Sequence, residues 1–440
     1  MQIKNKISGI ILLLSLMLIA VSSQAQNTDA LGTYTPYSLF GIGDLANEGT
    51  SVNSAMGGIG TGLRTRRFIN YLNPASITER DTLSFMMDFG LLQRNIYNSD
   101  GNVHSAYNTY NMQNIVFTAP IYRKSAIIVG IAPYSNIGYK FESTGTDKDH
   151  VLSYGDIRYR KYGEGSINNL FVGGAMNFLH NFSFGAEMVY YFGALDRYSN
   201  IEFNSESSLR NLVTGWDYAV NSVSGRFGLQ YFNTLKKRRD LKFTAGISYS
   251  LKSRLSGDMT QFAYAENTAG TDTIRHITYN SKMEIPGKIS VGVSLSKMDT
   301  LSRTDIWTLG FDYTRQDWSN SNFLATPGVD FNPNVESSYR LGFSYTPNIN
   351  DIRYYRKRMT YRVGTYYKTS YIRVGNNDVH AFGITFGATF PISKINNVIN
   401  FAVDVGQRGS TKNGMIRERY VNFVLNFSLY DIWFIKRKYR

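Results

Sequence analysis

The chain has 440 residues, no cysteine, 32 Tyr, 27 Phe, 39 Gly, 9 Pro and a formal charge of +14. Without cysteine there is no disulfide framework, no lipid-modified cysteine and no soft-metal site. The cations gather in turns and at the C-terminus, with no basic helix or RNA-binding motif, which turns the charge away from nucleic acid and toward anionic lipid headgroups or a partner protein.

The chain opens with Lys4 and Lys6 ahead of an apolar run from Ile10 to Ala20, then Val21 to Ala25 with small residues Ser23 and Ala25. A charged start, a short greasy run and small residues at −3 and −1 predict a secretory signal peptide over 1–25. The alternative is a membrane anchor, but the run is shorter than the roughly 18–20 apolar residues a spanning helix needs. Residues 26–80 do not read as strands. Tyr34 to Asp44 is rich in Gly and aromatics, and Ser54-Ala-Met-Gly-Gly-Ile-Gly-Thr-Gly62 imitates a phosphate loop. It lacks the following Lys-Ser/Thr and the strand–helix setting, so glycine is read as permitting close backbone packing instead.

From Thr82 onward, apolar residues alternate with polar or small ones in segments of about ten, the signature of membrane-spanning strands. Phe382, Ile384, Phe386, Ala388 and Phe390 share one face; Gly383, Thr385, Gly387 and Thr389 share the other. The pattern recurs in Leu241–Lys252, Ile289–Lys297, Trp307–Tyr313, Ile399–Val405 and Val421–Leu429. About fourteen strands result, an even number as a bacterial barrel requires, over residues 81–434, before a basic tail at 435–440. A soluble sandwich would alternate too. Unlike a sandwich, this chain alternates short turns (122–124, 179–181, 392–397) with long intervals (94–112, 134–167, 195–217, 255–284, 318–335), which predicts periplasmic turns and external loops. Aromatics at 14% with a mean hydropathy of −0.26 fit a barrel that shows rings to lipid and polar groups to its lumen. The fold class is therefore all-β, an antiparallel transmembrane barrel in the outer membrane.

Facing the aromatic side to lipid turns Asp88, Glu187, Arg226, Lys242, Asp312, Arg340, Arg362 and Asp404 inward. On the lipid side, an Arg or Lys near the midplane would cost about 2–4 kcal/mol. These charges either neutralise one another and Arg64, Arg66 and Arg67, or form pairs that a gate breaks. Lys236, Lys237, Arg238 and Arg239, Arg353 to Arg358 (with Arg356, Lys357 and Arg358) and the tail Lys436–Arg440 fall on the periplasmic rim. They either sit against headgroups or dock an acidic periplasmic partner. Five histidines are scattered without ligand spacing, so no metal and no cofactor is expected, and no arrangement for enzyme catalysis is visible.

Ala55-Met-Gly-Gly-Ile-Gly, followed by Asn70-Tyr-Leu-Asn-Pro-Ala-Ser-Ile-Thr78, resembles the FadL-type outer-membrane transporters of hydrophobic compounds, with Asn73, Pro74 and Ala75 matching that family's central element. Ser76 stands where Gly is common. The closing Trp433-Phe-Ile-Lys-Arg-Lys438 is similar to Bacteroidota-type relatives. The resemblance implies a barrel plugged by an N-terminal hatch over 26–80 and passive uptake of a hydrophobic, fatty-acid-like molecule. In that reading Tyr107, Tyr110, Tyr134 and Tyr154 are candidate loop contacts; the alternative for each is a girdle or loop-packing role. It also implies an inward kink in the third strand. Pro133 donates no ladder hydrogen bond, so with Gly130 it marks either that kink, opening a lateral exit, or the strand's end at the rim. FadL-like barrels also occur in secretion machinery, so the alternative is a non-transporting subunit of a larger outer-membrane assembly.

Overall fold

The computed structural model describes residues 32–80, 84–101, 103–122, 124–145, 157–203, 209–235, 238–267, 270–281, 283–299, 304–323, 331–392 and 397–432. The signal peptide (1–25), Lys236, Lys237, Tyr154 and the closing run from Trp433 with the basic tail lie outside them. Of Arg238 and Arg239 only the backbone is described.

Fourteen antiparallel strands form the wall. They are β1 (Ser84–Ser99), β2 (His104–Pro120), β3 (Ser125–Thr144), β4 (Ile157–Phe178), β5 (Phe182–Phe203), β6 (Asn211–Leu235) and β7 (Arg238–Ser250). They continue as β8 (Lys288–Met298), β9 (Asp305–Asp317), β10 (Val335–Tyr345), β11 (Thr360–Val374), β12 (Asn377–Pro391), β13 (Val398–Arg408) and β14 (Arg417–Ile432). Each pairs with its neighbour, and β14 closes on β1 from Ser84↔Ile432 to Ser99↔Arg417. Closure pairs the strands all the way round the wall, the condition for a sheet in lipid.

The alternation seen in the sequence sets the two faces. Val291, Val293, Leu309, Phe311, Leu341, Phe382, Ile384 and Phe386 stand exposed on the outer surface, whereas Ser290, Ser294, Thr308, Asp312, Thr385 and Asp404 are buried inside. A continuous exposed belt of this kind is stable only against hydrocarbon.

Four of the intervals that read as long loops are largely strand. The connection between β1 and β2 is only 100–103, and β4, β5 and β6 run for 22, 22 and 25 residues. About 9–11 residues cross a bilayer, so these strands continue far beyond it. A further hairpin, Asp258–Asn267 with Gly270–Asn280, extends the sheet from β6. Outside lipid no face has to be greasy, so the alternation that betrays a strand disappears there.

One seam interrupts the ladder. β2 and β3 pair only from Ile115↔Ile131 to Pro120↔Ala126. Beyond Pro133 the register of β3 against β4 shifts, and Tyr134 to Tyr139 are buried on both faces. The strand does not end at Pro133, as one reading of the sequence had it, but continues to Thr144.

Candidate functional site

The site is the lumen and what occupies it. Residues 32–80 form short turns, packed against the inner faces of the strands. The Asn-Pro-Ala element is a helix start: Asn73 Oδ1 accepts from Ala75 N at 3.1 Å, and Pro74 occupies the first helical position of Pro74–Thr78. The same Asn73 donates Nδ2 to Thr61 O at 2.9 Å, tying two turns of the segment together. Ser76 uses its hydroxyl, donating to Asn70 O at 2.6 Å. Ser183 on β5 donates to Ala75 O at 2.7 Å, which joins the motif to the wall.

The imitation phosphate loop does hold an anion, but an internal one. Asp312 on β9 accepts from Gly60 N at 2.6 Å, Thr61 N at 2.7 Å and Gly62 N at 3.4 Å. Three successive backbone donors wrapped on one carboxylate make a nest. Around it the wall is paved with glycine. A Cβ on Gly246 would meet Thr61 O, on Gly292 the amide of Gly62, on Gly342 Met56 O, and on Gly364 the amide of Gly57. Gly292 pairs with Gly246, and Gly342 with Gly364, so the small residues form a track on which the segment's backbone rests.

Residues 32–80 contain three acids, Asp44, Glu48 and Glu79, and each meets a cation of the wall. Asp44 lies 2.8 Å from Arg94 (β1) and 2.6 Å from Arg408 (β13), which continues to Glu418 at 2.8 Å. Glu48 lies 2.7 Å from Lys288 on β8. Glu79 lies 2.9 Å from Arg64, 3.1 Å from Arg66 and 3.7 Å from Lys242 on β7. Burial alone would raise all three acids. For Asp44, Arg408 and Arg94 overcome it and hold the carboxyl far below the usual range. Lys288 and Arg226 bring Glu48 down to about 2, and Lys242, Arg64 and Arg66 bring Glu79 to about 2.

The Glu79 cluster has a measurable sign. Its folded pKa, about 2 against the ordinary 4.5, is depressed, so its stabilisation is complete above about pH 4.5 and is lost as pH falls through 2. The linkage amounts to about 3 kcal/mol. Glu79→Gln is therefore expected to lower stability by that order at neutral pH and to flatten the acid limb of the unfolding curve. An acid limb unchanged from wild type would contradict it.

The structure places the charges singled out from the sequence as follows. Asp88 accepts from Asn114 Nδ2 at 3.0 Å, from Asn426 Nδ2 and from Ser428 Oγ at 2.6 Å. Arg226 lies 3.5 Å from Glu187 and donates to Tyr71 O at 3.2 Å. Arg340 donates to Gly58 O at 3.3 Å, and Asp404 accepts from Tyr366 OH at 2.9 Å. Arg362 donates to Thr389 Oγ1 at 2.5 Å. Most of these groups face the inner segment or a neighbouring strand rather than one another. Arg356, Lys357 and Arg358 lie in the turn Tyr355–Arg358, on the connection between β10 and β11, at the end where the short turns gather; Lys357 is 3.6 Å from Asp351. Tyr107 stacks on Tyr34 at 3.4 Å and Tyr134 meets Tyr191 edge-on at 4.9 Å, whereas Tyr110 is exposed.

At the seam the inner segment stands in for the missing strand. Asp44 and Leu45 pair with Asn136 and Ser135 of β3. Gln113 of β2 donates to Asn47 O at 2.9 Å and Gly49 O at 3.0 Å. Gly130 remains in the paired part of β3, opposite Val116, and Pro133 borders the gap. A cavity of about 130 Å³ opens here, lined by Asp44, Arg94, Arg408, Glu418 and Arg340. Pockets for organic ligands are mostly apolar and hold about 300–1,000 Å³. This one is smaller and mixed, with Leu45, Leu92, Pro133, Ile372 and Val424 in its lining beside the charges.

Asp44, Glu48, Arg94, Lys288, Arg408 and Glu418 were not among the residues singled out from the sequence. The one available signal was that Asp44 and Glu48 are the only acids between residues 32 and 78. Their partners lie hundreds of residues away, and only barrel closure brings them near.

A family model described as BamG matches residues 5–440. The chain belongs to the BamG family. No curated protein sequence matches it. Among solved structures, the Pseudomonas putida toluene transporter TodX is similar at 15% identity and TM-score 0.58, covering 89% of this chain and 100% of that one. The Ralstonia pickettii toluene transporter TbuX follows at 16% and 0.56, covering 87% and 98%. A Pseudomonas aeruginosa FadL homologue gives 13% and 0.55, covering 90% and 100%. At such identities the likeness carries the fold alone. The FadL-type resemblance thus holds for the barrel, and the BamG family contains the whole chain.

Proposed function

We propose that this chain is a non-conducting barrel subunit of a larger outer-membrane assembly, closed by residues 32–80 and acting through partner proteins. The carrying observation is the anchoring of that segment: all three of its acids bond to wall cations, and its backbone rests on glycines that leave no clearance. A gate that moved would have to break these pairs together and leave buried charges uncompensated, at about 3–5 kcal/mol for each broken pair. The exposed Arg353, Arg356 and Lys357 at the short-turn end offer an acidic periplasmic partner a surface, and the apolar belt offers lipid one.

The test uses the absence of native cysteine. Ala55 and Ala402 pack in one small cluster, so Ala55→Cys with Ala402→Cys should join segment to wall on oxidation. The locked protein is expected to complement a deletion strain as well as the reduced one. Function lost on oxidation and regained with reductant would sink the proposal and favour a moving hatch.

A second reading, passive passage of a hydrophobic small molecule, is favoured by the seam between β2 and β3. The molecule would leave sideways beside Pro133 without crossing the charged lumen. Uptake that survives the lock but falls in Pro133→Val would support this route.

A further inference from the structure

The wall cations that meet the inner segment's acids have carboxylate partners, and Arg197 and Arg340 have backbone carbonyls; Arg67 and Arg362 have only hydroxyls. Arg67, on the inner segment, donates Nη1 to Thr360 Oγ1 at 3.3 Å. Arg362, on β11, donates Nη1 to Thr389 Oγ1 at 2.5 Å. Thr360 and Thr389 are register partners across β11 and β12, so both guanidiniums reach the same hydroxyl patch. Among the described residues neither makes an ion pair within 4.0 Å. Asp305 borders the same cavity and attracts Arg67 from beyond ion-pair distance without a hydrogen bond to either arginine, and Arg64 beside them is engaged by Glu79 at 2.9 Å.

A guanidinium carries five N–H donors, and each of these two has one bond to a hydroxyl. Arg362 Nε is buried with no acceptor. Two like charges gathered in a half-buried space, with donors left over, are costly unless an anion joins them. The space exists: Arg67 and Arg362 line a cavity of about 40 Å³ together with Ser344 and Thr346. A water needs about 10–15 Å³, so there is room for one oxyanion. Thr346 and Thr360 flank the connection between β10 and β11, which places the cavity at the short-turn end.

We propose that this cavity binds a phosphate-type oxyanion, gripped from two directions by Arg67 and Arg362 and bordered by the Thr346 and Thr360 hydroxyls. Arginine matches such a group because its planar fork can give two parallel hydrogen bonds to it. Free phosphate and the phosphate of a phospholipid headgroup share this chemistry.

The test is calorimetric titration of the full mature protein, in neutral detergent at constant ionic strength, with inorganic phosphate. Saturable one-to-one binding is expected, weakened on the order of tenfold or more by Arg67→Gln and by Arg362→Gln. It should be unchanged in Arg275→Gln, an exposed arginine on the outlying 270–280 strand. Arg362→Lys, which keeps the charge, should retain measurable binding and so separates loss of the site from loss of the fold. Repeating the titration in phosphatidylglycerol nanodiscs identifies the source. Weaker phosphate binding there assigns the site to a headgroup, and unchanged binding assigns it to the free anion. No saturable binding by wild type, or equal binding by both glutamine variants, would overturn the proposal.

Discussion

Asp312→Ala is expected to release residues 54–62 from the barrel wall and to lower stability by about 3–5 kcal/mol, because three buried backbone donors lose one charged acceptor. Alanine fits the space, so the loss is one of hydrogen bonding and charge, not of packing. The effect should appear in two ways: a lower denaturant midpoint for the folded barrel, and faster protease cleavage within residues 32–80 while the strands stay protected. Asp312→Asn should fall between, since its amide oxygen still accepts while its NH₂ faces donors. Cleavage of the segment at the wild-type rate in Asp312→Ala would show that the nest does not hold it.

Gly364→Ala is the second large effect. A Cβ there would press on the backbone amide of Gly57 and on Met56, neither of which is a flexible side-chain end. Overpacking of this kind costs about 1–3 kcal/mol, and Gly364→Val should cost more. Gly174→Ala is the control: its Cβ would have only ordinary contacts, at 3.4 Å from Ala126 O and 4.0 Å from Ile127. That substitution should change stability by no more than about 0.5 kcal/mol. Equal behaviour of the two alanine variants would mean that the glycine track is not what fits the segment to the wall.

The wall was legible because lipid imposes a period of two. Phe382, Ile384 and Phe386 cannot face the lumen without turning Thr385 to hydrocarbon, so faces and register follow from pattern. Legibility stopped where lipid stops. Leu195 to Asp217 read as loop because beyond the bilayer nothing penalises a polar residue on either side, yet most of it is ladder. In the lumen, the sign of each charge could be read but not its partner. Glu48 and Lys288 are separated by 240 residues, and no local spacing links them. The glycine-rich run at 54–62 signals close backbone packing, and a Cβ at Gly60 or Gly62 would indeed meet atoms within 3 Å. What it closes upon, the Asp312 carboxylate, depends on strand stagger, which sequence does not carry. Gly364 illustrates the same limit, since in a strand pattern it looks like any other small inward residue. Only its contact with Gly57 gives it a role.

If this barrel is a closed component that works through other proteins, those proteins should stay with it on gentle extraction. The most direct measurement is native purification of the tagged protein from its own outer membrane in mild detergent, with mass spectrometry of everything retained. A fixed, stoichiometric set of protein partners is expected, reduced when Arg353, Arg356 and Lys357 are replaced by glutamine. Recovery of the barrel alone, carrying a hydrophobic small molecule and no stoichiometric protein, would contradict it.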